Sequence, residues 1–166
     1  MPCLSFTEKK IFKPLIERKK LQTIRAVNGD KPRIIKGDIV KVFWNQRSSN
    51  KFYCKKCSSP FKNTLISGSR CEFCGSDEFI NKVLGKVKIT DVREIWMKKV
   101  KTEGRKQTED FRFIIKDKYG SFNMAQVEQL AIDDGFETSY DMFEFFDTNY
   151  DLRKAKRFAI YNFQWM

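Results

Sequence analysis

The chain has 166 residues, 41% of them hydrophobic, with a formal net charge of +12, five cysteines and no histidine. That suits one ordinary domain with a buried core rather than a disordered tail. The missing histidine excludes Ser-His-Asp and Cys-His nucleophilic sites, and the deaminase and metalloprotease zinc motifs that need an imidazole, so any general base must be Lys, Asp, Glu, Tyr or Cys.

In chain order, residues 4–6 form a short strand candidate. Over 8–18, Ile11, Phe12, Leu15 and Ile16 recur at helical spacing, and Pro14 must lie early in that helix or split it. Thr23-Ile24-Arg25 reads as extended. Gly29, Pro32 and Gly37 mark turns around a basic stretch, 31–36, that includes Arg33 and Lys36. Residues 38–44, DIVKVFW, are β-branched and aromatic, a strand ending on Trp44, which suits a core position and a stacking surface equally.

Residues 51–79 hold four of the five cysteines and few large aliphatics, and read as a self-contained insert. A long alternating strand is expected over 83–97, a charged mobile loop over 101–110 and a further strand over 111–117. Residues 124–134 pattern as an amphipathic helix with Met124, Val127, Leu130 and Ala131 on one face, ended by Gly135. Thr138 and Asp141 resemble a capping box opening a second helix through Met142, Phe143 and Phe146. Residues 157–165 close the series as a strand. No apolar run approaches the roughly 20 residues that span a bilayer, and no secretory signal is visible, so no membrane association and a cytoplasmic location are expected.

Cys54, Cys57, Cys71 and Cys74 follow the pattern C-x2-C-x13-C-x2-C. Each CxxC turn can present two thiolates to one metal, and two turns complete a tetrahedron. Four thiolates leave no open coordination position, so the expectation is one structural zinc ion per chain. The leftover Cys3 is expected as a small buried residue.

Charge is unevenly spread. Lys and Arg against Asp and Glu count 15 to 4 over residues 1–60, 11 to 6 over 61–106, and 7 to 11 over 107–166. A basic first two thirds favours a polyanionic partner, nucleic acid above others. Within the insert, Lys55 and Lys56 lie beside Phe52 and Tyr53, a mixture of cations and aromatics that can neutralise phosphates and stack bases. The acidic helical region 124–147 offers a surface for a basic protein partner instead.

Several motifs recur in an order that resembles one family. Lys20-x-x-Thr23-x-Arg25 follows a short helix; Lys36-Gly37-Asp38 precedes a strand; Leu130-Ala-Ile-Asp-Asp134-Gly135-Phe136 comes later, before a Phe-rich helix and a terminal aromatic strand. This set resembles the ASCH domain of the PUA-like β-barrel superfamily over nearly all of the chain outside the cysteine insert. The resemblance implies an α+β fold: a small PUA-like β-barrel over 1–50 and 80–166 with flanking helices, and a zinc ribbon inserted at 51–79. It also implies RNA-related function, RNA ahead of DNA. One bacterial subgroup of that family hydrolyses N4-acetylcytidine, with the motif Thr as nucleophile, the motif Lys as base and a later carboxylate. Residue by residue, those are Thr23, Lys20 and Asp134. That subgroup carries Glu where this chain has Asp, and lacks the insert.

Read without the family, Lys20 and Thr23 are close enough in sequence to meet, and a desolvated Lys can act as base toward a Thr hydroxyl. A binding pocket, a catalytic pair and a merely structural turn all remain open for these residues. The leading expectation is nucleic-acid binding through Lys20, Thr23, Arg25, Arg33, Lys36, Trp44, Lys55 and Lys56, with a hydrolase or nuclease as the alternative.

Overall fold

The computed structural model describes residues 2–62, 65–101 and 111–166. The expected loop over 101–110 falls, apart from Lys101, outside these residues. Among the described residues the chain is of mixed α+β type, with mostly β cores and three helices, and it divides into two compact units.

The first unit comprises 1–20, 38–88 and 164–166. Strand β1 (Cys3–Phe6) pairs in parallel with β3 (Ile39–Trp44), which pairs antiparallel with the first residues of β7 (Val83–Lys101). Helix α1 (Lys9–Ile16) buries Phe12 and Leu15. Pro14 stands inside its second turn, neither early nor at a break. The helix is only eight residues long, and the amides of Lys19 and Lys20 fold back to the Pro14 carbonyl at 2.9 and 3.1 Å, so the chain leaves the helix soon after the donor that proline lacks. Val40 and Val42 alternate inward on β3, and Trp44 ends it, 3% exposed, edge-on to Phe12 with ring centres 4.6 Å apart. A three-stranded sheet in the order β5-β4-β6, built from β4 (Phe52–Cys54), β5 (Pro60–Phe61) and β6 (Phe79–Asn81), carries the cysteine segment.

The second unit comprises 21–37 and 89–163. Strand β2 (Gln22–Ala26) pairs antiparallel with β10 (Lys156–Trp165), which lies between β2 and β7. Strand β8 (Phe111–Asp117) pairs with β7, and the two-residue β9 (Gly120–Ser121) pairs with β8. Among the described residues no pairing closes a sheet into a barrel.

Helix α2 (Met124–Asp134) starts on a capping box: Asn123 and Gln126 each accept the other's backbone N–H through their side chains. It ends at Gly135, in the left-handed region at φ 92°. Helix α3 (Ser139–Tyr150) is capped by Thr138, whose hydroxyl oxygen accepts the Asp141 N–H at 3.1 Å. Val127, Leu130 and Ala131 face the core as their spacing predicts, but Met124 is 74% exposed and Asp134 takes the inward place one helical period along. The core joins these to Ile95, Met97 and Ile115 of the strands and to Met142, Phe143 and Phe146 of α3. No helix among the described residues is long and apolar enough to cross a membrane.

Candidate metal centre and buried polar residues

The four cysteines of the insert sit in two turns of the same form. In the first, the Ser58 N–H donates to the Cys54 carbonyl at 2.9 Å, and the Cys54 N–H donates to Ser59 O at 2.9 Å. In the second, the Gly75 N–H donates to the Cys71 carbonyl at 2.8 Å, and the Cys71 N–H donates to Ser76 O at 2.8 Å. In both, the residue after the second cysteine has a positive φ, 58° at Ser58 and 72° at Gly75. This geometry aims both thiols of a pair to one side.

The two turns bring all four sulfurs within 4.8 Å of one another. Cys54–Cys74 and Cys57–Cys71 are each 3.5 Å apart. Ligands at the corners of a tetrahedron with metal–sulfur bonds of about 2.3 Å lie roughly 3.8 Å apart, so the cluster has the size of a four-thiolate site. It is far too open for disulfides, whose bond is about 2.05 Å. Cys54 and Cys71 are buried, Cys57 and Cys74 half-buried.

The thiols do not ionise alike. Burial pushes the Cys57 thiol up, but hydrogen bonds from Ser59, Cys71 and Cys74 outweigh it and bring it to about 6. At Cys74 the Ser76 amide pulls downward, and burial with the three neighbouring sulfurs prevails, raising it to about 12. One thiolate forms readily and a full set resists forming beside it, an arrangement that a cation between the sulfurs relieves. These four residues can hold one metal ion and leave it no free position.

Around the cluster, Phe61 and Phe79 pack with ring centres 4.6 Å apart. Tyr53 is 1% exposed, and its buried hydroxyl has no hydrogen-bond partner among the described residues. Lys55, Lys56 and Arg70 are exposed, and Lys55 reaches Glu78 at 3.3 Å. Phe73, between the second pair of cysteines, is 72% exposed.

The remaining candidates divide between the units. Lys20 belongs to the first. It is 4% exposed, its ammonium lies 5.9 Å from the Phe6 ring centre, and its carbonyl accepts the Trp165 indole N–H at 3.1 Å. Trp44, in the same unit, is spent in the core against Phe12, so it offers no face for stacking a base. Cys3 is exposed rather than buried: as the first residue of β1 it points out of the sheet, and its thiol donates to Gln46 Oε1 at 3.2 Å.

In the second unit, the end of α2 meets β2, and Asp134 lies close to Ile24 and Arg25. Thr23 is 3% exposed and pairs in register with Tyr161. Asp134 is 7% exposed, and its Oδ1 accepts the Ile24 N–H at 3.3 Å. Burial draws the Arg25 guanidinium below its ordinary value, against Asp134, Tyr150 and Tyr161, which favour its charge. Arg33 and Lys36 lie exposed on the turn-rich segment after β2.

Sequence reasoning overlooked Asp117. It is 8% exposed at the end of β8; its Oδ2 accepts the Arg93 guanidinium, with Nε at 2.8 Å, and its Oδ1 accepts the amides of Tyr119 at 2.7 Å and Gly120 at 3.1 Å. The signal was the short run Asp-Lys-Tyr-Gly after an apolar strand, a hairpin turn by composition. No family model, no curated protein and no solved structure matches the chain.

Proposed function

We propose that the chain is an ASCH-like RNA-binding module braced by one structural zinc ion. The observation that carries this reading is the four-thiol cluster and what its turns expose: Lys55 and Lys56 inside the first cysteine pair, Phe73 inside the second, and Arg70 just before it. Four soft thiolates at tetrahedral spacing suit zinc, and a site without an open position is a brace. Cations beside an exposed ring can neutralise phosphates while the ring stacks a base. The exposed Arg33 and Lys36 add to the same basic excess, 15 cations to 4 acids over residues 1–60. The preference for RNA, and a PUA-like topology beneath the α+β architecture, rest on the motif resemblance. Titration of labelled single-stranded RNA at several salt concentrations tests the reading. Neutralising about five phosphates gives a slope of log K on log salt of roughly −3 to −4.5. A flat salt response, or no binding at low salt, overturns it.

One observation favours hydrolysis as a second reading. Among the described residues, five polar or charged side chains are classed as buried: Lys20, Thr23, Ser58, Asp117 and Asp134. Three of them are the residues that the resemblance nominates as base, nucleophile and carboxylate. Desolvation is what lets a Lys act as a base near neutral pH. Turnover of N4-acetylcytidine by the native protein, Thr23→Ala and Lys20→Met separates the readings. Equal rates in all three remove hydrolysis and leave binding.

A further inference from the structure

The second unit carries a basic and aromatic sheet face outside every residue nominated so far. The register of β7 with β8 pairs Trp96 with Lys116, Lys98 with Ile114 and Val100 with Arg112. Directly opposed residues of an antiparallel pair point to the same side of the sheet, and alternate residues share that side. The intervening pairs, Met97 with Ile115 and Lys99 with Phe113, take the other side, where Phe113 stacks on Phe143 of α3 with ring centres 4.3 Å apart. Helix α3 therefore packs on that side. The other presents six residues of which three are exposed cations, Lys98, Arg112 and Lys116, and none is a carboxylate.

That face runs into a groove of about 530 Å³ whose lining includes Trp96, Arg93, Asp117, Tyr119 and Arg157. Tyr119 is 82% exposed, an unusual place for a large ring unless something stacks on it. Its position is fixed from below: Asp117 holds its backbone amide and that of Gly120, and is itself held by Arg93, whose guanidinium lies 4.5 Å from the Phe122 ring centre. The Lys118 ammonium sits over one face of the Tyr119 ring, 4.7 Å from its centre, so a base would stack on the other face. Of the three acids that line the groove, Asp117 is held by Arg93 and Glu94 lies 3.5 Å from Arg157, while Asp91 is exposed at its edge.

We propose that the outer face of β7 and β8, with this groove, is a binding surface for single-stranded RNA. Bases stack on Tyr119 and Trp96, and phosphates run along Lys98, Arg112 and Lys116. The chemistry favours a single strand, because a ring can stack only on bases that are not already stacked and paired. This inference rests on the RNA-binding reading above and assigns that reading a second surface.

The test is anisotropy of a short fluorescein-labelled oligouridine with the full chain, native and substituted, each variant's folding checked by thermal unfolding. Tyr119→Ala is expected to weaken binding roughly five- to hundredfold, the range of one lost base–aromatic stack, and Tyr119→Phe to leave it near native. The variant carrying Lys98→Gln, Arg112→Gln and Lys116→Gln is expected to flatten the salt slope by about 2, at about 0.7 per phosphate contact on a single strand. A duplex of the same length is expected to bind more weakly. If both the Tyr119 and the triple variant bind and respond to salt as the native protein does, while Lys55→Gln with Lys56→Gln loses affinity, this surface is wrong and the RNA-binding reading stands. If the native protein binds no oligonucleotide at low salt, the reading itself falls. Duplex bound as tightly as single strand, and unaffected by Tyr119→Ala, also overturns the proposal.

Discussion

Ser58 and Gly75 hold the same place in two copies of one turn. Each follows the second cysteine of its pair, donates its amide to the carbonyl of the first, and adopts a left-handed φ, 58° and 72°. A residue with a Cβ pays about 1–2 kcal/mol for that conformation, and glycine almost nothing. Ser58→Gly is therefore expected to stabilise the insert, and Gly75→Ala to destabilise it by about 1–2 kcal/mol. A Cβ at Gly75 meets no atom within 4 Å, so the cost is one of backbone alone. Competition of each variant with a chromophoric chelator reads the effect as metal affinity; Gly75→Ala binding as tightly as the native chain contradicts it.

Metal removal has a regional signature. Segment 51–79 has short strands and only two large aliphatic residues, Leu65 and Ile66, so the metal supplies much of its folding free energy. We expect one zinc ion per chain in protein purified under reducing conditions. Chelation should abolish hydrogen-exchange protection in 51–79 while the core around Met97, Ile115 and Phe146 keeps it. Binding displaces protons from thiols, so affinity should fall as pH falls, by roughly tenfold or more per unit below neutrality. Loss of protection throughout the chain on chelation would show that the insert does not fold by itself.

Much of this was legible in the sequence, and the gaps have physical causes. The double CxxC spacing specified the thiol cluster, because a local turn aims each pair. Helix α2 was read with its ends at 124 and 134 because Gly135 stops it and its apolar period is regular. Periodicity misassigned Met124, which lies in the first turn beyond the edge of the core, and it could not show that Asp134 turns inward on the same stripe. Trp44 was ambiguous because the alternation of a strand does not say which face is covered; Phe12, thirty-two positions earlier, covers it. The face carrying Trp96, Lys98 and Lys116 was invisible for a related reason: it exists only through the register of β7 with β8, and register is a tertiary fact. The division into units is equally remote from local signals, since the first unit assembles three separate stretches of chain.

Asp117 should titrate below the ordinary aspartate value of about 3.9. The Arg93 hydrogen bond is the largest influence, burial opposes it, and the Tyr119 and Gly120 amides reinforce the lowering. A carboxyl whose folded value is depressed stabilises the fold above its unfolded value, and that contribution is lost as pH falls through the folded one. The β8–β9 turn should therefore hold at neutral pH and loosen only in acid below the usual carboxylate range. The amide shifts of Tyr119 and Gly120, followed by NMR, report the midpoint; one at or above 3.9 contradicts the arrangement. Asp117→Asn keeps two acceptor lone pairs but no charge for Arg93, and should loosen the same two amides at every pH.

Asp134 has a structural duty that must be separated from any chemical one. Its Oδ1 accepts the buried Ile24 N–H, tying the end of α2 to the strand that carries Thr23 and Arg25. Asp134→Ala strands that amide away from water, a loss of about 1–3 kcal/mol. Asp134→Asn can still accept the bond through its amide oxygen and should lose less, though it withdraws the negative charge that favours the Arg25 guanidinium. Chemical denaturation of both variants measures this difference; equal losses would mean that the charge, rather than the acceptor, holds the strand. The same pair of proteins bears on hydrolysis. If the Asp134 carboxylate takes part in hydrolysis, the folded Asn variant should lose turnover of N4-acetylcytidine by orders of magnitude. If the Asn variant keeps the native rate, Asp134 is a clamp on β2 and takes no part in the chemistry.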